Sequence, residues 1–462
     1  MGRRWGRVTA WIFSSLFILL FPGVNARSGS CAPAEDELIP HTKREMLSVD
    51  FWLRKTRGCN RVIMTPEQIG QFNREIIQKV DAVCDLKGYP ESLSKEELTD
   101  FIGRYKIPVS IRYDTSGKIA QPELYEALKA NVNLEGIGAQ NPVKYGIAMR
   151  RTLLRSFPAD TAIYSSPESE FDRFQETACF AFEPALILHQ SKDGDWYFVQ
   201  IYNYRGWVKA GDIALTDREV WLAYLGRPDF LVATGNRVRT QGNYYDQDIS
   251  RLEFDMGTKI PLAETIPSHV NNQAVIGNYV VKIPCRDAQG QLLFKTALLA
   301  ETEDVHKGYL PYTRGNVIRQ AFKLLGERYD WGDKFGGKDC SSFILSVYHA
   351  FGFNLPRNTA EQRISAGKIH NLDESAPLSK RNALLNQVKP GALLYTDGHA
   401  MLYLGKVKGV HYVLHNFTNY SRQEGNEWKP YPVYEVMVTS TLLAAESERT
   451  FLEKVTTIIE LK

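Results

Sequence analysis

At 462 residues the chain is too long for one compact hydrophobic core, so several domains are expected. Its 56 Lys and Arg nearly balance 53 Asp and Glu, leaving a net charge of +3, which excludes the strong basic field of a nucleic-acid-binding protein.

In chain order, residues 1–7 are basic, residues 8–21 are largely apolar, and Val24-Asn25-Ala26 sets small residues where a signal peptidase reads. The apolar run is short for a membrane span. A signal peptide over residues 1–26 is expected, which implies an exported, periplasmic or cell-envelope protein. A competing reading makes Cys31, after Ser28-Gly29-Ser30, a lipid-anchor cysteine and thus a membrane tether; Arg27 and the lack of an aliphatic residue three positions before Cys31 stand against it.

Residues 27–130 read as a mainly helical N-terminal region. Thr65-Pro66-Glu67 is a helix-start signal, Ile69, Phe72, Ile76, Ile77 and Val80 give one apolar face, and Ser94-Lys95-Glu96-Glu97 is a second start. The period then becomes strand-like. Leu186–His189, a turn at Lys192–Asp195, and Trp196–Tyr202 form a hairpin pattern, followed by Gly206-Trp207-Val208. That order resembles bacterial SH3-like barrels, and a first barrel is expected over 140–216. A less distinct β-rich stretch over 219–302, with Phe230–Ala233, Arg237–Arg239 and Tyr279–Ile283, is expected to form a second.

Further on, Asp339-Cys340-Ser341-Ser342-Phe343 combines an N-cap residue with a thiol, and Phe343, Ile344, Val347, Tyr348 and Phe351 recur at helical intervals. Cys340 is therefore placed in a first helical turn, where the helix dipole favours the thiolate. Two strand-like runs follow, 398–405 and 411–415, each with histidines. A hairpin centred on Val407 sets His399 opposite His415, Met401 opposite Val413, and Tyr403 opposite His411, with opposite Cβ atoms about 4.5–5.5 Å apart. In this reading Cys340 is the nucleophile, His399 the general acid/base, and His415 the group that orients it. A buried cysteine or strand histidine is more often plain packing. Metal binding by His411 and His415 is disfavoured, since four strand residues span roughly 13 Å. Six cysteines follow residue 26, and a reduced Cys340 leaves five, which cannot all pair.

Five motifs, Gly326-Glu327-Arg328-Tyr329-Asp330-Trp331-Gly332, Asp339–Phe343, Leu355-Pro356-Arg357, Pro390-Gly391 and Gly398-His399, resemble the NlpC-type cell-wall peptidases, papain-like enzymes that cut peptidoglycan stem peptides. The resemblance covers roughly 305–462. It implies an α+β multidomain protein: a helical N-terminal region weakly similar to the clip region of such proteins, two small SH3-like β-barrels, and a C-terminal papain-like catalytic domain. It also implies catalytic roles for Cys340, His399 and His415, substrate contacts from Tyr329, Asp339 and Ser341, and no cofactor or metal. Ser342 stands where the family usually has glycine.

The expected reaction is hydrolysis of γ-D-glutamyl-diamino acid bonds, meso-diaminopimelate being the family's usual partner, by a monomer acting on stem peptides. Relatives with barrels suggest a cleft closed at one end, which selects a free N-terminal L-Ala; Asp172 and Tyr204 are the candidates for holding its amine. An amidase or acyltransferase on the same scaffold, or a non-catalytic wall-binding protein, are the alternatives.

Overall fold

The computed structural model describes residues 37–462. The expected signal segment and Cys31 lie outside the described residues. Among those described, no helix is long and apolar enough to cross a membrane.

The N-terminal helices form where the caps predict. In α1 (Val49–Lys55), Trp52 is fully buried. Helix α2 (Pro66–Lys79) opens with a reciprocal capping box between Thr65 and Gln68, and α3 (Lys95–Gly103) with one between Ser94 and Glu97. Helix α4 (Pro122–Asn131) follows. These helices do not build one core of their own. Trp52, Phe72 and Ile76 pack with Tyr312 and Phe353 of the C-terminal part, whereas Leu98, Ile102 and Leu128 pack with Ile147, Phe198 and Trp207 of the first β domain. Burying each such side chain contributes about 1.5–3 kcal/mol, so the region ties both partners together.

The first β domain is a seven-stranded antiparallel sheet of β1 (Lys144–Ala148), β2 (Thr152–Arg155), β3 (Gln175–Cys179), β4 (Pro184–Gln190), β5 (Trp196–Ile201), β6 (Tyr204–Lys209) and β7 (Ile213–Thr216). Its order is β7-β1-β4-β5-β6-β2-β3, which leaves β3 at an edge. Phe198 lies between His189 and Trp207 across the central strands, as the hairpin pattern implied.

Helix α5 (Arg218–Leu225) leads into the second β domain: β8 (Phe230–Ala233), β9 (Arg237–Arg239), β10 (Glu253–Asp255), β11 (Lys259–Pro261), β12 (Asn278–Arg286), β13 (Leu292–Ala300) and β14 (Val305–Lys307). It comprises a three-stranded sheet β11-β8-β14 and hairpins β9-β10 and β12-β13, closed over a core that includes Leu231, Phe254, Ile260 and Ile283.

In the C-terminal part, α6 (Arg314–Phe322) and α7 (Cys340–His349) pack on an antiparallel sheet of β15 (Lys368–Asn371), β16 (Leu393–Thr396), β17 (His399–Val407), β18 (Val410–Glu424), β19 (Glu427–Ser440) and β20 (Thr457–Glu460), ordered β15-β20-β16-β17-β18-β19. The buried N-terminal half of α7 thus lies against β17 and β18, the strands that carry the histidines.

Candidate active site

Helix α7 begins where Asp339 caps it. The Asp339 carboxylate accepts the Ser341 and Ser342 N–H groups at 3.1 and 2.9 Å. Ser342 completes the box: its Oγ accepts the Asp339 N–H at 2.9 Å and donates to Asp333. The departure from glycine thus supplies a hydrogen-bonding side chain at the third helical position. The Arg357 guanidinium, buried, donates to Asp339 at 2.7 Å and to Ser341 Oγ at 2.9 Å. Against the cost of burial, Arg357 and the cap donors hold the Asp339 carboxyl below its ordinary value.

That cap changes the electrostatics expected of the thiol. The N–H groups and the positive helix end are already engaged by a carboxylate, so they do little for a thiolate at Cys340. Burial, with Asp339 adding to it, pushes the Cys340 thiol up to about 11. The Ala400 N–H, Thr359 and Arg357 pull the other way. Cys340 Sγ lies 3.9 Å from both the Gly398 carbonyl oxygen and Thr359 Oγ1, so the thiol sits against the backbone flanking His399.

The hairpin register differs from the one the sequence suggested. Lys408 and Gly409 form the turn, both with positive φ, and Val407 pairs with Val410 and Lys406 with His411. Left unbroken, that register sets His415 on the opposite face of the sheet from His399. A bulge intervenes: Leu404 and Gly405 together face Tyr412, after which Tyr403 pairs with Val413. The bulge restores face parity, and Gly405 takes it at φ 122°, a backbone conformation that glycine tolerates. Met401 is therefore not opposite Val413, nor Tyr403 opposite His411, and the His399–His415 contact is diagonal. It is close nonetheless, with His399 Nε2 2.7 Å from His415 Nδ1.

His415 is fully buried and stacks on Phe417 with ring centroids 4.2 Å apart; its Nε2 lies 2.8 Å from Thr439 Oγ1. The contact with His415 engages Nε2 of His399. Burial, then Lys454, lowers His399 to about 4, and burial holds His415 well below its ordinary value. The resting site thus holds a neutral thiol beside neutral imidazoles.

The opposite wall comes from the first β domain. Edge strand β3 meets the C-terminal part through Gln175 Nε2, which donates to the Gly332 carbonyl at 2.8 Å, and Thr177 Oγ1, which accepts from Arg357 at 2.6 Å. Between them Glu176 is half-buried, its carboxyl raised by burial, and accepts from Tyr204 Oη at 2.5 Å. Tyr329, half-buried, packs with Phe171 and Tyr434, and burial raises its hydroxyl well above its ordinary value. Ser341 is buried within the Asp339–Arg357 network.

Asp172 departs from its expected place. It is 1% exposed, and its carboxylate is taken up by Arg155 and Lys334, each at 2.9 Å, and by the Phe174 N–H. Four residues on, Glu176 is half-buried and bonded to Tyr204. The sequence signalled Arg357 only as part of the Leu-Pro-Arg motif, and Glu176 and Thr439 not at all.

Residues 163–209 match the SH3 domain of SH3b1 type, and residues 326–436 match the NlpC/P60 family. The chain therefore carries an SH3b domain and, C-terminal to it, an NlpC/P60 domain of the peptidoglycan-hydrolase class. Over 108 residues it is 33% identical to a gamma-D-glutamyl-L-lysine dipeptidyl-peptidase of Bacillus subtilis (strain 168), a match covering 21% of this chain and 32% of that protein. The chain thus spans about a third of that relative's length. An NlpC/P60 endopeptidase from Photobacterium damselae subsp. piscicida shares the fold, with a TM-score of 0.69 at 19% identity over 86% of this chain and 93% of the other.

Proposed function

We propose that the protein is a cysteine endopeptidase that hydrolyses the γ-D-glutamyl bond to a diamino acid, meso-diaminopimelate in the first instance, in stem peptides with a free N-terminal L-Ala. The observation that supports this reading is the docking of β3, which carries Glu176 hydrogen-bonded to Tyr204, onto the Asp339–Arg357 network at the start of the Cys340 helix.

In this mechanism His399 Nδ1 takes the Cys340 proton as Sγ attacks the γ-glutamyl carbonyl carbon, and His415, braced by Thr439, holds the ring. The Cys340 backbone N–H, free in the first helical turn, donates to the developing oxyanion. His399 returns the proton to the departing amine. Water, deprotonated by the same ring, then cleaves the thioester and frees the thiol. Glu176 is the anionic partner for the ammonium of L-Ala, with Tyr204 and Tyr329 lining the approach, while Asp339 and Ser341 fix the floor. Asp172 acts behind the wall through Arg155. Acylated stem peptides, still attached to glycan, lack the ammonium and meet a closed end, so the protein acts as a monomer on released fragments in the cell envelope.

Turnover of L-Ala-γ-D-Glu-meso-diaminopimelate and its N-acetyl derivative tests the proposal. A large preference for the free amine, abolished in Glu176→Gln, is expected. Similar rates for both substrates contradict it.

A further inference from the structure

Away from the thiol, a cavity of about 350 Å³ opens where all four parts of the chain meet. Its floor includes His349, the last residue of α7, about 14 Å along the helix from Cys340. Tyr202 Oη lies 2.6 Å from His349 Nε2, and Gly257, at φ 91°, lies so close that a Cβ there would come within 2.4 Å of the His349 Cβ. This volume falls in the range of small-molecule sites.

The walls are aromatic. Phe230 and Tyr309 meet edge to face with centroids 5.0 Å apart, and Tyr224 Oη donates to the Phe182 carbonyl at 2.9 Å. Three cationic residues line it, Lys259, Lys87 and Arg227, the last paired with Glu264. Lys259 Nζ lies 4.5 Å from the Phe230 ring centroid, and Lys87 comes from the loop after α2. Among the described residues neither ammonium has a carboxylate within ion-pair distance, although most lysines and arginines at the other domain junctions do. After burial, the largest influence on Lys259 is repulsion from Lys87, which lowers its amine further. Two carboxyls line the wall: Glu183 is raised to about 7 by burial and is spent on the Phe180 N–H, and the Asp85 carboxylate accepts the Lys87 backbone N–H at 3.1 Å. A recess with aromatic walls, in which the Lys259 and Lys87 ammonium groups have no ion-pair partner among the described residues, is complementary to an amphipathic anion.

We propose that this four-way cavity is a binding site for a small organic monocarboxylate with an aromatic or branched apolar body, its carboxylate on Lys259 and Lys87 and its body against Phe230, Tyr309 and Tyr224. Inorganic anions lack the body that the aromatic walls select, and organic cations meet two like charges. Occupancy links the N-terminal helices, both β domains and the end of α7 in one contact set.

Calorimetric titration of the full chain with phenylacetate, and with phenethylammonium as the ring of opposite charge, tests this. Saturable 1:1 binding of phenylacetate is expected, unchanged in Cys340→Ala, with no binding of phenethylammonium. Lys259→Met keeps the apolar stem and should weaken phenylacetate roughly tenfold or more, as loss of a charged hydrogen bond implies. Lys87→Met, at an exposed position, provides a second variant whose folding is not in question. No saturable phenylacetate binding, equal affinity for both probes, loss of binding in Cys340→Ala, or unchanged affinity in both lysine variants overturns the proposal.

Discussion

Arg357→Met probes how the nucleophile is held. The guanidinium donates to Asp339, Ser341 and Thr177 and lies 3.5 Å from Asp333, so one side chain neutralises the helix cap and pins the first β domain. Methionine keeps most of the volume but strands the buried Asp333 and Asp339 carboxyls. Breaking a buried pair from one side costs about 3–5 kcal/mol, and the lost Thr177 bond about 1 more. For a domain of this size that lowers Tm by about 10 °C or more at pH 7. The pH dependence carries the sign. In the wild type Asp339 is held below its unfolded value, so its stabilisation is present at neutral pH and lost only as pH falls through that lowered value. Without Arg357 both carboxyls titrate higher and protonate sooner, so the deficit shrinks as pH falls from 7 toward 4. Thermal unfolding by circular dichroism at several pH values measures this, and stem-peptide cleavage should fall roughly 100-fold as Cys340 shifts. A Tm within about 2 °C of wild type at pH 7, with an unchanged rate, would refute the reasoning.

Three further outcomes follow from the site. His415→Ala should lower kcat at least tenfold with little change in KM, while His415→Asn keeps a polar contact to His399 and recovers part of it; equal loss in both would remove the orienting role. Acid should act twice. Cleavage should fall as pH drops through about 4, where His399 protonates, and stability should decline earlier, because His349 and His399 have folded values near 4 against about 6.5 unfolded. Depressed values mean stability is present above about 6.5 and lost below, by about 2 kcal/mol for each histidine at pH 5, so His349→Gln should flatten the Tm profile between pH 7 and 5. Deleting Leu404 removes the bulge and turns His399 away from His415; the folded product should be inactive, and an active deletion variant would contradict the register.

How much was legible depended on whether the signal was local. The capping boxes at Thr65, Ser94 and Asp339, the alternation around Trp196–Tyr202, and the ordered motifs from Gly326 to His399 are short-range patterns, and each led to the element or domain found. The hairpin register was two residues off at His415 because the turn lies at Lys408-Gly409 rather than around Val407; the bulge, which alternation does not show, then restored the shared face, and Gly405 was its trace. The thiolate expectation treated the helix end as vacant, whereas Asp339, one residue earlier, occupies it. The burial of Asp172 was missed for a similar reason. It depends on Arg155 and Lys334, and Lys334 lies 162 residues away. The two-way packing of the N-terminal helices likewise depends on partners in separate domains.

The most direct measurement is the release of diaminopimelate from L-Ala-γ-D-Glu-meso-diaminopimelate by the wild type and by Cys340→Ala, followed by mass spectrometry. Wild type is predicted to release it and the variant to leave the peptide intact while remaining folded. Equal release by both proteins, or none by the wild type, contradicts a thiol peptidase at Cys340.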